Sequence, residues 1–173
     1  MRYLKFMLIS LLVFFSVLTV IGLCMPSTVT VGRSVEINAP ADIIRMYTND
    51  LQNWRYWLNG ADTAYFEKLS AGTNEKHSKI KLGSYVISVI TNDSKYMITL
   101  WQDSYGGEQI NRIEMYKGSG NGTIVNWSFT QQLHWYPWER LGAMLHDQIL
   151  GPSMEVSLHK LKQVTEKHGS YQP

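Results

Sequence analysis

Residues 137–169 read PWERLGAMLHDQILGPSMEVSLHKLKQVTEKHG, and the fold turns on this stretch. Leu150, Met154, Leu158 and Leu161 recur at spacings of four, four and three, which puts them on one face of a helix. Glu155, Lys160, Lys162 and Glu166 fall largely off that face. A second stripe, Leu141, Leu145 and Ile149, precedes the Gly151–Pro152 pair. Pro152 has no N–H for the helix ladder, so the spacing predicts a kink or a fresh helix start there. Gly169 is a natural stop, with Lys167 and His168 in the last turn, where cations suit the helix dipole. Almost everything ahead of this segment is strand-like, and a long amphipathic helix after a run of strands needs a sheet to lie against.

Working back from the helix, Thr123 to Leu133 is the longest strand pattern, with Val125, Trp127, Phe129 and Leu133 alternating against Asn126, Ser128, Thr130 and Gln132. Gly118-Ser119-Gly120-Asn121-Gly122 ahead of it reads as a hairpin turn. It lacks the Lys-Ser/Thr that a phosphate-binding loop needs. Gln109 to Lys117, Tyr96 to Gln102, Ser84 to Thr91 and Tyr65 to Leu69 are further strands, with turns at Gly106–Gly107 and Asn92–Ser94 and a polar loop from Ala71 to His77. Near the start, Thr28 to Asn38 alternates with Val29, Val31, Arg33, Val35 and Ile37 on one face. Pro40 then leads into a short helical face of Ile43, Ile44, Tyr47 and Leu51, followed by the aromatic cluster Trp54, Tyr56 and Trp57. Strand, two short helices, five or six closely spaced strands and a long helix make an α+β layer fold around an antiparallel meander.

The N-terminus has a different texture. Phe6 to Met25 carries no charge, and about 20 residues at 1.5 Å rise span roughly 30 Å, the hydrocarbon thickness of a bilayer. Residues 1–26 are therefore read as a transmembrane anchor or uncleaved signal, and 27–173 as the folded domain. A cleaved signal peptide usually has an apolar core of about 7–15 residues and a small-x-small site, which Gly22-Leu23-Cys24 does not supply. Leu23 is also bulky for lipoprotein processing at Cys24. Arg2 and Lys5 precede the apolar run, so the positive-inside rule leaves the N-terminus cytoplasmic and the domain on the periplasmic or extracellular side.

The +2 net charge resides in Arg2 and Lys5, leaving a neutral domain without the electrostatic footprint of a nucleic-acid binder. The single cysteine, Cys24, excludes an internal disulfide. His77, His134, His146, His159 and His168 are scattered, without metal-ligand spacing, and no cofactor is expected.

Several pieces of the chain resemble the START-like (SRPBCC) superfamily of helix-grip proteins, specifically its polyketide cyclase/dehydrase-like branch. They are Arg33-Ser34-Val35-Glu36-Ile37-Asn38-Ala39-Pro40, Asp50-Leu51-Gln52-Asn53-Trp54 with Trp57, Gly122-Thr123-Ile124-Val125-Asn126-Trp127-Ser128, and Gly151-Pro152-Ser153-Met154-Glu155 running into Leu158-His159-Lys160-Leu161-Lys162 and Glu166. The resemblance implies a curved antiparallel sheet of about seven strands around the C-terminal helix, with a hydrophobic cavity between them. The chain departs from the branch at Lys81-Leu82-Gly83 and in the 71–79 loop. Because the superfamily hosts lipid carriers, receptors, cyclases and interaction modules, the fold alone leaves the function open.

The aromatics are the informative residues. Trp54, Trp57, Tyr85, Trp101, Trp127 and Phe129 supply large apolar area with polar edges, suited both to core packing and to a ligand pocket. With Met154 and Leu158 from the helix they are the candidate cavity wall. Arg33 shares a face with valines and an isoleucine, so it needs a partner: Glu114 on a neighbouring strand, or the polar head of a ligand. His134 stands among aromatics at the end of the last strand, a candidate for the cavity mouth. His146 and Asp147 are adjacent on the helix, about 100° apart, and poorly set to act as base and orienter. These readings lead to non-catalytic, membrane-tethered binding of a hydrophobic small molecule or lipid. The alternatives are a cyclase/dehydratase-type enzyme using His134, Glu139 or His146, and an envelope protein-interaction module with a filled cavity.

Overall fold

The computed structural model describes residues 2–143 and 145–169. An N-terminal helix α1 (Arg2–Cys24) is followed by strand β1 (Thr28–Ile37), helix α2 (Ala41–Thr48) and a 3-10 turn (Leu51–Tyr56). Six strands come next: β2 (Phe66–Lys68), β3 (Lys79–Leu82), β4 (Tyr85–Asn92), β5 (Tyr96–Gln102), β6 (Glu108–Lys117) and β7 (Thr123–Gln132). Helices α3 (Pro137–Ala143) and α4 (His146–Gly169) complete the chain.

The seven strands form one antiparallel sheet in the order β1-β7-β6-β5-β4-β3-β2, a meander from β2 to β7 with β1 returned to the edge beside β7. The central strands β5, β6 and β7 bury alternate side chains, as a sheet with one covered face must. The covering element is α4, with Met154, Leu158 and Leu161 buried on the face that the leucine spacing predicts. The sheet is not strongly curled, so the tight grip implied by the resemblance is replaced by a layer packing of sheet and helix.

Strand β3 is absent from the periodicity reading. Its Lys79-Ile80-Lys81-Leu82 alternation is only four residues long and joins β4 through Gly83–Ser84, with Gly83 at φ +59°. The helix break also moves. α4 runs through Pro152, and the interruption falls between α3 and α4. Pro152 removes one ladder bond in the second turn, to a carbonyl of the exposed Gln148, where water can replace it.

Two tryptophans anchor the short helices. The Trp54 indole donates to Thr48 O (2.7 Å) and the Trp57 indole to Tyr47 O (2.9 Å), satisfying carbonyls at the end of α2. Their rings pack edge-on, and Trp57 meets Trp127 of the sheet at 5.3 Å. At the β6–β7 hairpin, Gly120 takes φ +58° and the Glu36 carboxylate accepts the Ser119 N–H at 2.6 Å, which holds Glu36 below the usual carboxylate range. The glycine run is a turn braced by an acid, which is incompatible with an anion cradle.

Candidate functional site

A cavity of about 290 Å³ lies between the sheet and the N-terminal turns of α4. Trp101, Trp127 and Phe129 make its sheet wall, Leu150 and Met154 its helix wall, and the Leu58–Ala64 loop and the β3–β4 turn its rim. The wall rings form one connected set, Tyr85 to Trp101 at 5.6 Å, Trp101 to Phe129 at 5.1 Å and Phe129 to Trp127 at 5.4 Å. The rim is tied to the helix by polar contacts. Asn59 N–H donates to Ser157 Oγ (2.9 Å), and the Asn59 side-chain amide reaches Ser153 Oγ at 3.4 Å. A mostly apolar concavity with a few polar groups at its edge is what a hydrophobic ligand requires.

Tyr85, Trp101, Trp127, Phe129 and Met154 therefore stand on the cavity wall. Trp54, Trp57 and Leu158 are in the core outside this lining, and the two indoles are committed to α2. His134 is exposed on the α3 side, where its backbone N–H and ring Nδ1 meet Glu139 at 3.1 and 3.2 Å. Arg33 is not paired with Glu114, which faces the opposite side of the sheet and binds Arg112 (2.7 Å) and Tyr116 (2.9 Å). Burial alone would raise Glu114, but those two donors outweigh it and hold the acid low.

Arg33 instead reaches across to α4. Its Nη1 contacts Asp147 at 2.8 Å and its Nε contacts Glu155 at 2.7 Å. Asp147, Gly151 and Glu155 are spaced by four along one helix face. Gly151 is the reason the guanidinium fits between the acids, because a Cβ there would lie 2.2 Å from Arg33 Nη2. The Asp147 hydrogen bond is the larger influence on the pair, raising Arg33 and depressing Asp147. His146 and Asp147 thus point to different tasks, as their 100° separation predicts. His146 Nδ1 is buried without a hydrogen-bond partner among the described residues, beside Gln109, Gln131 and Leu150.

Two more polar groups are unsatisfied among the described residues: both ends of the Asn111 amide, and Trp127 Nε1. Asn111 is fully buried in β6, opposite Phe129 and Thr99. An unmade hydrogen bond of this kind costs about 1–3 kcal/mol, so Asn111 is a weak point in the core behind the cavity. Periodicity places Asn111 on the inner face but carries no sign that its neighbours leave it unpaired. The Asn59-Gly60 rim was equally hidden. It is a turn dipeptide with Gly60 at φ +78°, and only tertiary packing brings it over α4. Among the described residues no cluster of three or more His, Cys, Asp or Glu side chains could hold a metal ion.

No family model matches the chain, and no curated protein matches it in sequence. In fold it is similar to a protein from Thermobifida fusca (16% identity, TM-score 0.64, covering 80% of this chain and 93% of the other). A protein from Nitrosospira multiformis is similar at 11% identity and TM-score 0.62, covering 78% and 94% of the two chains. A START superfamily protein from Mycobacterium smegmatis follows at 14% identity and TM-score 0.58, covering 80% and 98%. Identities this low concern the fold alone: a seven-stranded antiparallel sheet packed against a long C-terminal helix, a helix-grip-like arrangement. α1 adds one helix long and apolar enough to cross a membrane, with a mean hydropathy of 2.7.

Proposed function

We propose that this chain is a membrane-tethered, non-catalytic binding protein of the polyketide cyclase/dehydrase-like branch, holding one hydrophobic small molecule or a single lipid chain between the sheet and α4. The observation that carries the reading is the aromatic-walled cavity of about 290 Å³. Its volume is at the small end of ligand cavities, which favours a single-chain or ring-sized occupant over a two-chained phospholipid. α1 spans the bilayer with Arg2 and Lys5 on the cytoplasmic side, and the tether keeps an apolar site beside a reservoir of apolar ligand.

Native mass spectrometry of the detergent-solubilised full chain, followed by organic extraction, tests this. A reproducible added mass is expected, and Ala64→Trp, which puts an indole at the cavity rim, should remove it. Lipid clinging to α1 would survive that substitution, so an added mass unchanged by Ala64→Trp overturns the reading.

One observation favours the enzymatic alternative. The unpartnered Nδ1 of His146 faces a crevice shared with Leu150 and Phe129 of the cavity wall. A cyclase or dehydratase would use this imidazole as its acid/base, and turnover of a cyclisable polyketide-like substrate lost in His146→Ala would establish it.

A further inference from the structure

The second leucine stripe of the sequence is left uncovered. Leu145 is 52% and Ile149 68% exposed, with Leu141 beside them, although all three hold helical spacing. Immediately before them Trp135 (52%) and Trp138 (61%) are exposed on either side of Tyr136. Their rings pack in series, Trp135 to Tyr136 at 4.9 Å and tilted, Tyr136 to Trp138 at 5.1 Å and nearly parallel. Exposed apolar and aromatic side chains thus follow the chain from the end of β7 along α3 to the first turn of α4. A soluble surface rarely leaves such a patch bare without a partner.

Its position names the partner. α3 is fastened to the end of α1. Gly22 is the one buried residue of α1, and a Cβ there would lie 2.9 Å from Pro137 Cα. Arg140 Nη1 donates to Gly22 O (2.9 Å) and Met25 O (2.8 Å), while its Nε donates to His134 O (3.0 Å). A guanidinium on the last carbonyls of α1 caps that helix and complements its dipole. The 23 residues of α1 rise about 35 Å, slightly more than a hydrocarbon core, so its end and whatever is fastened to it sit at the lipid–water boundary. Tryptophan and tyrosine, with an apolar body and a polar edge, are the residues that such a boundary favours.

From these contacts we infer that Trp135, Tyr136, Trp138, Leu141, Leu145 and Ile149 form a membrane-docking face that lies in the lipid interface beside α1. The inference rests on α1 spanning the bilayer, as proposed above. It goes further, because docking orients the cavity. The same helix α4 carries Leu150 and Met154 of the cavity wall, so docking of its first turn fixes how the cavity stands relative to the membrane.

The chain provides its own reporter. α1 contains no tryptophan, Trp54, Trp57, Trp101 and Trp127 are buried, and Trp135 and Trp138 belong to the patch. The full chain is reconstituted in phosphatidylcholine nanodiscs carrying either plain acyl chains or chains brominated at carbons 6 and 7. Docking predicts that bromination removes about a third of the tryptophan emission, the share of two indoles among the six. Trp135→Phe/Trp138→Phe keeps the surface apolar and should remove that third, leaving only what an acyl chain in the cavity takes from Trp101 and Trp127; emission lost equally by the parent and the double variant overturns docking. Chain that stays with the discs but shows no quenching overturns docking while leaving the tether intact. Chain that fails to enter discs overturns the tether reading and docking with it. Unquenched chain of doubled mass would make the patch a contact between two copies, which also overturns docking.

Discussion

Two aromatic clusters of this molecule are both built mainly of tryptophan, one buried and one exposed. Trp54, Trp57, Trp101, Trp127 and Phe129 are buried between the sheet and the helices. Three of their four indoles spend the N–H on a protein acceptor: Thr48 O, Tyr47 O and Thr99 Oγ1. Trp135, Tyr136 and Trp138 pack in series before and within α3, and the two indoles leave more than half of their surface bare. The first cluster pays its way in folding free energy. On the proposed docking, the second contributes little to stability and meets the lipid interface instead. Aromatic composition alone does not separate a core from a contact surface; the fate of each indole N–H and the identity of the neighbouring helix do.

The contrast is broken most directly by truncating one indole of each kind. Trp54→Ala removes ring contacts with Trp57 and Trp101 and leaves Thr48 O unpaired, so unfolding in denaturant should show a loss of about 3–5 kcal/mol. Trp138→Ala, measured in the same way, should change stability by about 0.5 kcal/mol or less. Equal losses at the two sites would end the distinction between the clusters.

Gly151→Ala has the next largest effect. The added methyl occupies the place of the Arg33 guanidinium, and either the side chain leaves both acids or the β1–α4 packing opens. A loss of about 1–3 kcal/mol is expected in a denaturant titration. The double variant with Arg33→Ala should cost less than the sum of the singles, because the clash is then gone.

Asn111→Leu sharpens the comparison on the buried side. It removes two unsatisfied polar atoms from the core, so stability should rise or stay within about 1 kcal/mol of the parent. A marked loss would reveal a hydrogen bond to the amide, such as one from a bound ligand, and repeating the titration after organic extraction would tell which.

The smallest effect concerns pH. The Arg33 hydrogen bond depresses Asp147 in the folded chain. A depressed acid contributes stability that is complete above its unfolded pKa, about 3.9, and is lost as pH falls through the lower folded value. Asp147→Asn should therefore make the chain slightly less stable at neutral pH and slightly less acid-sensitive below pH 4. Because the Asp147 side chain is largely exposed, both changes should be small.

How much of this was legible beforehand follows from the range of each interaction. The stripe at Leu150, Met154, Leu158 and Leu161, the alternation of β1 and β7 and the hairpin at Gly118–Gly122 are local patterns, and the backbone adopts them where periodicity places them. β3 escaped because four residues are too short for an alternation to stand out. The expected break at Pro152 moved because that residue is only the seventh of α4, where the carbonyl it deprives is solvated. Among candidate site residues, inner-face membership was legible for Trp101, Trp127 and Phe129. Whether a residue meets the cavity or the core behind it was not, as Trp57 and Leu158 demonstrate.

By itself, the sequence determined the order of the elements other than β3, the apolar length of α1 and which face of β1, β7 and α4 turns inward, because these depend on residues within a few positions of one another. Only the tertiary structure decided that Arg33 is held by Asp147 and Glu155 across a glycine notch, that Asn111 is left without a partner among the described residues, and that Arg140 binds the last carbonyls of α1 beside an uncovered aromatic stack. The Arg33 and Arg140 contacts join residues 114 to 122 positions apart in the chain, and no local pattern encodes which distant groups will meet.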